Sequence, residues 1–212
     1  MNRTLVLLLC LVAVIAVWFA TSRVSSQPAS ASISLAPQVE GSKIYFVPIG
    51  DFPSEQLDSL VQYYRQKYTL DISILKSITV DPSARDSSRQ QLMAENLAAG
   101  LRQAVPEYAN DPKAILIGFT SEDMYPTSKG WQFAFGWRLG NARAAVVSTA
   151  RLGFIYVGMP LDLHVSDTRL RKVVSKDIGI MYYGLPSSTN PKSVLYNQIG
   201  GIQELDEMGE DF

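Results

Sequence analysis

The sequence predicts an α/β domain with a mixed, mostly parallel twisted sheet. Three observations point there: strand-period and helix-period segments alternate between Lys43 and Leu101, a continuous apolar run follows at residues 114–119, and further strand signals cluster ahead of one long amphipathic helix. Residues 43–50 (KIYFVPIG) form a β-rich run closed by a Pro/Gly break, and Ser54 after Pro53 is placed to cap a helix. From Glu55 the positions Leu57, Leu60, Val61 and Tyr64 recur at helical spacing. Residues 71–76 (DISILK) alternate as a strand does. After the polar stretch around Pro82, Met93, Leu97 and Leu101 mark a second amphipathic helix. Residues 114–119 (AILIGF) suit a strand buried on both faces. Residues 131–136 and 144–148 predict two more strands, joined by a turn near Leu139, Gly140 and Asn141. A third helix spans about 167–183, with Asp167 as its cap, an apolar stripe of Leu170, Val173, Val174, Ile178 and Met181, and Gly184 as its stop.

With 47% hydrophobic and 18% charged side chains in 212 residues, the chain suffices for one well-cored domain and is short for two. Nineteen basic residues against twenty acidic ones leave no surplus of positive charge, and no basic run interleaves with aromatics, so nucleic acid is not an expected partner. Residues 1–20 are expected to act as a signal peptide or an N-terminal membrane anchor, because residues 5–20 are an uninterrupted apolar run of about sixteen residues, where the two classes overlap. Both imply an extracytoplasmic domain, either secreted or periplasmic, or anchored by that segment; membrane contact would then involve only residues 5–20, if they are uncleaved. Residues 21–41, rich in Ser, Ala and Pro, form an expected flexible tether, leaving residues 42–212 as the folded domain. Cys10 is the only cysteine and lies inside the apolar run, so a mature domain without its leader has no disulfide.

The order of features resembles the archaemetzincin branch of the metzincin zinc peptidases over most of residues 43–207. The pieces that carry the resemblance are the strand and turn of residues 43–52, Arg89-Gln90 opening the second helix, Leu116-Ile117-Gly118-Phe119-Thr120 followed by Asp123-Met124-Tyr125, Phe133-Ala134-Phe135-Gly136, and Val146-Val147-Ser148 leading to Arg151-Leu152. The resemblance implies a metzincin-like αβα sandwich whose helix at about 167–183 is the active-site helix. In that family the helix carries His-Glu-x-x-His-x-x-Gly-x-x-His: two imidazoles one turn apart face the same way, a third follows a glycine turn, and the glutamate serves a zinc-bound water as general base. At the matching positions this chain has Lys176 for the first histidine, Asp177 for the glutamate, Ile180 for the second histidine and Ser187 nearest to the third, with Leu195 where the family places its methionine turn. The chain's single histidine, His164, lies elsewhere. An ammonium at 176 opposes a metal cation, so the expectation is no cofactor and no bound zinc.

The remaining candidates are weighed against structural explanations. His164 in a loop is more often hydrogen-bonded surface than base. Lys176 and Asp177 point roughly 100° apart on a helix and need not share a site. Trp131, Phe133, Phe135 and Trp137 alternate like one face of a strand packed in the core. Glu122, Asp123 and the acidic end (Glu204, Asp206, Glu207, Glu210, Asp211) are expected to be solvated. The chain has neither a Gly-x-Gly-x-x-Gly motif nor a Gly-x-Ser-x-Gly elbow. The function expected is an exported, non-catalytic module that takes an extended peptide or a protein along a sheet edge. Two alternatives stay open: a hydrolase with an unconventional site on Asp177 and His164, and a purely structural extracytoplasmic protein.

Overall fold

The computed structural model describes residues 35–140, 142–158 and 164–212. The expected leader and most of the expected tether, residues 1–34, lie outside them. Ala36–Phe212 form one compact unit. Among the described residues no helix is long and apolar enough to cross a membrane.

Five strands make the main sheet, in the order β2 (Ile72–Ile74), β1 (Lys43–Pro48), β5 (Ala114–Thr120), β8 (Ala144–Ser148) and β7 (Gly136–Arg138). The first three pairings are parallel and the β7–β8 pairing is antiparallel, so the sheet is mixed and mainly parallel. A second small sheet joins β3 (Arg85–Asp86), β4 (Gln91–Met93) and β6 (Met124–Tyr125).

Side-chain alternation along the strands assigns the helices to two faces. Ile115, Ile117 and Phe119 of β5 and Ala145 and Val147 of β8 pack with α1 (Ser54–Tyr68) and α4 (Val165–Met181). The intervening Leu116, Ala144 and Val146 pack with α2 (Ala94–Ala104). Two apolar layers on one sheet, each closed by helices, give an αβα sandwich, and the period of two fixes which residue serves which layer. Gly118 sits where α2 comes closest: a Cβ there would lie 2.7 Å from Ile49 and 3.0 Å from Leu101. Short helices α3 (Pro106–Ala109) and α5 (Ile202–Glu207) complete the unit.

Several expectations need correction. Ser54 and Asp167 are not caps, since α1 begins at Ser54 after Pro53 and α4 begins at Val165 after His164, with Asp167 inside its first turn. The strand expected at 131–136 is instead Gly136–Arg138. The chain leaves the main sheet just before it: the Ala134 N–H donates to the Met124 carbonyl of the small sheet, and Trp131 is 53% exposed. Arg89 and Gln90 do not open a helix, because β4 intervenes and α2 begins at Ala94. Gln90 takes a left-handed backbone (φ 54°), and the Leu92 N–H donates to the Asp123 carbonyl, which draws this segment into strand pairing.

Candidate functional site

The long helix α4 lies over the antiparallel edge of the sheet. Its stripe of Leu170, Val173, Val174, Ile178 and Met181 is buried, as the spacing predicts. Tyr64 on α1 fixes it from the side, its hydroxyl donating to the Arg171 carbonyl at 2.9 Å and lying 3.0 Å from the Ser175 hydroxyl. Gly136 lets α4 approach β7 closely, since a Cβ at that position would lie 3.0 Å from Val173 Cγ1.

Two residues beyond Gly136, Arg138 projects from the same face of β7. Its Nη1 donates to Asp177 Oδ1 at 2.6 Å. Asp177 is 2% exposed, and its other oxygen, Oδ2, is buried without a hydrogen-bond partner. Burial pushes this carboxyl upward in pKa, and the Arg138 guanidinium pulls the other way. Lys176 is one residue earlier and so points about 100° away around the helix. Its Nζ donates to the Tyr196 carbonyl, tying α4 to a turn in which the Tyr196 N–H bonds the Ser193 carbonyl and the Ser188 N–H bonds the Leu195 carbonyl. Burial, with Arg138 adding repulsion, pulls the Lys176 ammonium down from 10.5 to about 8, against the attraction of Asp177.

The outer edge of β7 completes the arrangement. Trp137 is opposite Val146 in the register, the Phe135 carbonyl accepts from the Ser148 N–H, and the Leu139 N–H donates to the Ala144 carbonyl. Positions 135, 137 and 139 therefore face β8, and Gly136 and Arg138 turn their main-chain amides outward, where the sheet order places no further strand. Among the described residues no strand pairs with that edge; α4 reaches β7 through Asp177 and Arg138, and the turn at Ser193–Tyr196 through Lys176.

The structure brings Lys176 and Asp177 to the same region but to different partners. Ile180 is half-buried and Ser187 is exposed beyond the helix end. His164 is the residue before α4, with its Nδ1 3.9 Å from Asp167. It is thirteen positions from Asp177 on the helix, about 20 Å along the axis, so the two are not brought together. Arg138 is the member of the cluster that sequence reasoning missed. The available signal was a lone cation next to Trp137 in an apolar edge strand. The acidic residues are paired rather than merely solvated: Glu122 with Arg85, Asp123 with Arg151, Asp206 with Arg169, Glu210 with Arg171 and Asp211 with Lys67.

Comparison with known proteins adds the following. No family profile matches the chain. The archaemetzincin of Haloquadratum walsbyi is 30% identical over 154 residues, spanning 70% of this chain and 83% of the relative. That of Pyrococcus abyssi is 28% identical over 159 residues, 72% and 81% of the two chains. The crystal structure of archaemetzincin from Archaeoglobus fulgidus, complexed with malonate, superposes with a TM-score of 0.62 at 24% identity, covering 80% of this chain and 94% of that one. A zinc-dependent peptidase from Methanocorpusculum labreanum gives 0.64 at 19% identity, with coverages of 80% and 95%. The expectation of no cofactor, which rests on three positions of one helix, is corrected by these findings. The relatives are archaemetzincins, the branch of zinc peptidases that the sequence resembles, so zinc is the cofactor to expect of this group.

Proposed function

Because the chain belongs to the archaemetzincin family, we propose that it is an exported member that binds an extended peptide or protein segment along the outer edge of β7 and leaves it uncleaved. The observation that supports binding is the edge that no strand pairs with among the described residues: the outward amides of Gly136 and Arg138 lie beside α4, and main-chain pairing to such an edge supplies affinity without requiring a particular sequence.

Zinc is the cofactor that membership leads one to expect, so its fit to the residues present matters. A catalytic zinc takes about three neutral imidazole, thiolate or carboxylate donors and keeps one position open. Around α4 the chain offers the Lys176 ammonium bonded to the Tyr196 carbonyl, the Asp177 carboxylate turned into the core against Arg138, and the hydrocarbon of Ile180. Among the described residues no three His, Cys, Asp or Glu side chains gather into a metal-holding group. This donor set does not fit a catalytic zinc, and no step is routed through one. His164 and Asp177 do not replace it, being separated by most of the helix.

The test supplies the metal rather than withholding it. Full-length protein saturated with zinc is mixed with a pool of fluorogenic random peptides, and binding and cleavage are read in parallel. Binding without cleavage is expected. Turnover that a chelator abolishes overturns the non-catalytic reading. Export is supported by the apolar run at residues 5–20. Residues 1–41 fused to a reporter should carry it across the membrane, and cytoplasmic retention sinks that part.

A further inference from the structure

Resting on the edge-binding reading, we infer that the corner where α4 meets β7 holds a carboxylate-binding subsite formed by Lys176 and Arg138, so that the segment bound along the edge presents a carboxylate there. Two cations share this corner with one acid. Lys176 has Arg138 and Asp177 as its charged neighbours, and Asp177 is consumed inward: 2% exposed, with Oδ1 on Arg138 and Oδ2 buried without a partner. Burial disfavours the charged form of Asp177, and even a full charge there answers only one of the two cations, so positive charge is left over at this corner.

Donors remain for a ligand. An ammonium has three protons and a guanidinium five N–H groups. The Tyr196 carbonyl takes one from Lys176, and Asp177 Oδ1 takes one from Arg138, whose side chain is 31% exposed. Arg138 is also a residue whose main-chain amide faces the open edge. A peptide strand paired at Gly136 and Arg138 therefore runs past the Arg138 side chain, which has Lys176 as a charged neighbour. A singly charged carboxylate matches the excess of one cation over the buried acid, and charge-assisted bonds in a half-buried corner are stronger than those at an open surface. The carboxylate has two sources, a free peptide C-terminus or an Asp or Glu side chain, with the same chemistry at the contact.

Three pools of fluorescein-labelled decapeptides, otherwise of uncharged random sequence, distinguish the cases on the full-length protein: one ending in a free carboxylate, one ending in an amide, and one ending in an amide but containing a single Glu. Either the free-acid or the Glu pool is expected to bind about tenfold more tightly than the neutral amide pool, and whichever does so identifies the source. Lys176→Met should bring that pool down to the neutral level, with Lys176→Arg keeping part of the preference. A further arm needs no variant. Lys176 has Arg138 and Asp177 as its charged neighbours, and on the wild type the preference should fade as the pH rises through about 8, where Lys176 loses its charge. Addition of a chelator should leave it intact. Equal binding of all three pools overturns the subsite and spares the edge-binding reading. Failure of every pool to bind overturns both. A preference that survives Lys176→Met, persists to pH 10 or disappears with chelator places the charge elsewhere and also overturns the subsite.

Discussion

Lys176 is the residue at which the family pattern and this chain differ most in chemistry. Where the pattern has an imidazole, the chain holds an ammonium in a half-buried site and lets it donate to the Tyr196 carbonyl. Holding a charge there costs stability as long as it is protonated, and its pKa of about 8, down from 10.5, measures that cost. The sign follows from proton counting. Between about pH 8 and 10.5 the unfolded chain binds more proton at this residue than the folded one, so stability rises with pH across that window; below pH 8 the cost is fully present. The slope is at most about 1.4 kcal/mol per pH unit, and less because part of the group faces water. Urea unfolding at pH 7.5, 8.5 and 9.5 should show a rising free energy, and Lys176→Met should reduce the slope, leaving what the buried Lys172, also held below its ordinary value, contributes. A wild-type curve that is flat or falls over this range contradicts the burial of Lys176. The tyrosines with raised pKa, such as Tyr64, act only above pH 10 and do not interfere.

At the scale of elements, the sequence foretold most of what hydrophobic periodicity controls and little of what hydrogen-bond competition controls. The stripe on α4 follows from the spacing of Leu170, Val174 and Ile178, all buried, and β5 follows from its unbroken apolar run. The strand near Trp131 is misplaced because alternation alone cannot tell a paired strand from an extended segment. The Ala134 N–H goes to Met124 and not to β8, a long-range choice invisible in a local window. The candidate site was legible as a place, on α4 beside its glycine stop, and illegible as a constellation. Arg138 reaches Asp177 across 39 positions of sequence, which no spacing rule connects. The stripe itself makes a prediction. Ile178 is fully buried between α4 and the sheet, so Ile178→Asp places an unpaired charge in the core and should cost about 4 kcal/mol. Ile178→Val, which removes one buried methylene and adds no charge, should cost about 1 kcal/mol. Equal melting temperatures for wild type and the Asp variant refute the register of α4.

At the scale of the whole molecule, the last eleven residues act as a strap across the outer side of α1 and α4. Leu205 is fully buried and Met208 nearly so, and the Phe212 ring lies 5.1 Å from that of Tyr68 and 5.3 Å from that of Tyr183. Gly179 makes room for the strap, because a Cβ there would meet Phe212 at 2.6 Å and Leu195 at 2.7 Å. Asp206, Glu207, Glu210 and Asp211 pair with Arg169, Lys192, Arg171 and Lys67, and the first and last of these pairs differ most in environment. Arg169 is fully buried, its Nε and Nη2 each 2.7 Å from one oxygen of Asp206, with Nη1 donating to the Leu152 and Phe154 carbonyls. Lys67 pairs with Asp211, whose side chain is 66% exposed. Removing the acid from a buried, bidentate pair weakens what offsets the desolvation of the guanidinium, a loss of about 3 kcal/mol. An exposed pair is worth no more than about 0.5 kcal/mol once water screens it. Asp206→Asn should therefore lower the unfolding free energy several times more than Asp211→Asn, and the double variant should give the sum, since the two pairs share no partner. Measured by denaturant titration, equal losses for the two variants would mean that the strap is held by its apolar contacts and not by Arg169. In that case Phe212→Ala, which removes ring contacts with Tyr68 and Tyr183, should prove the more damaging change.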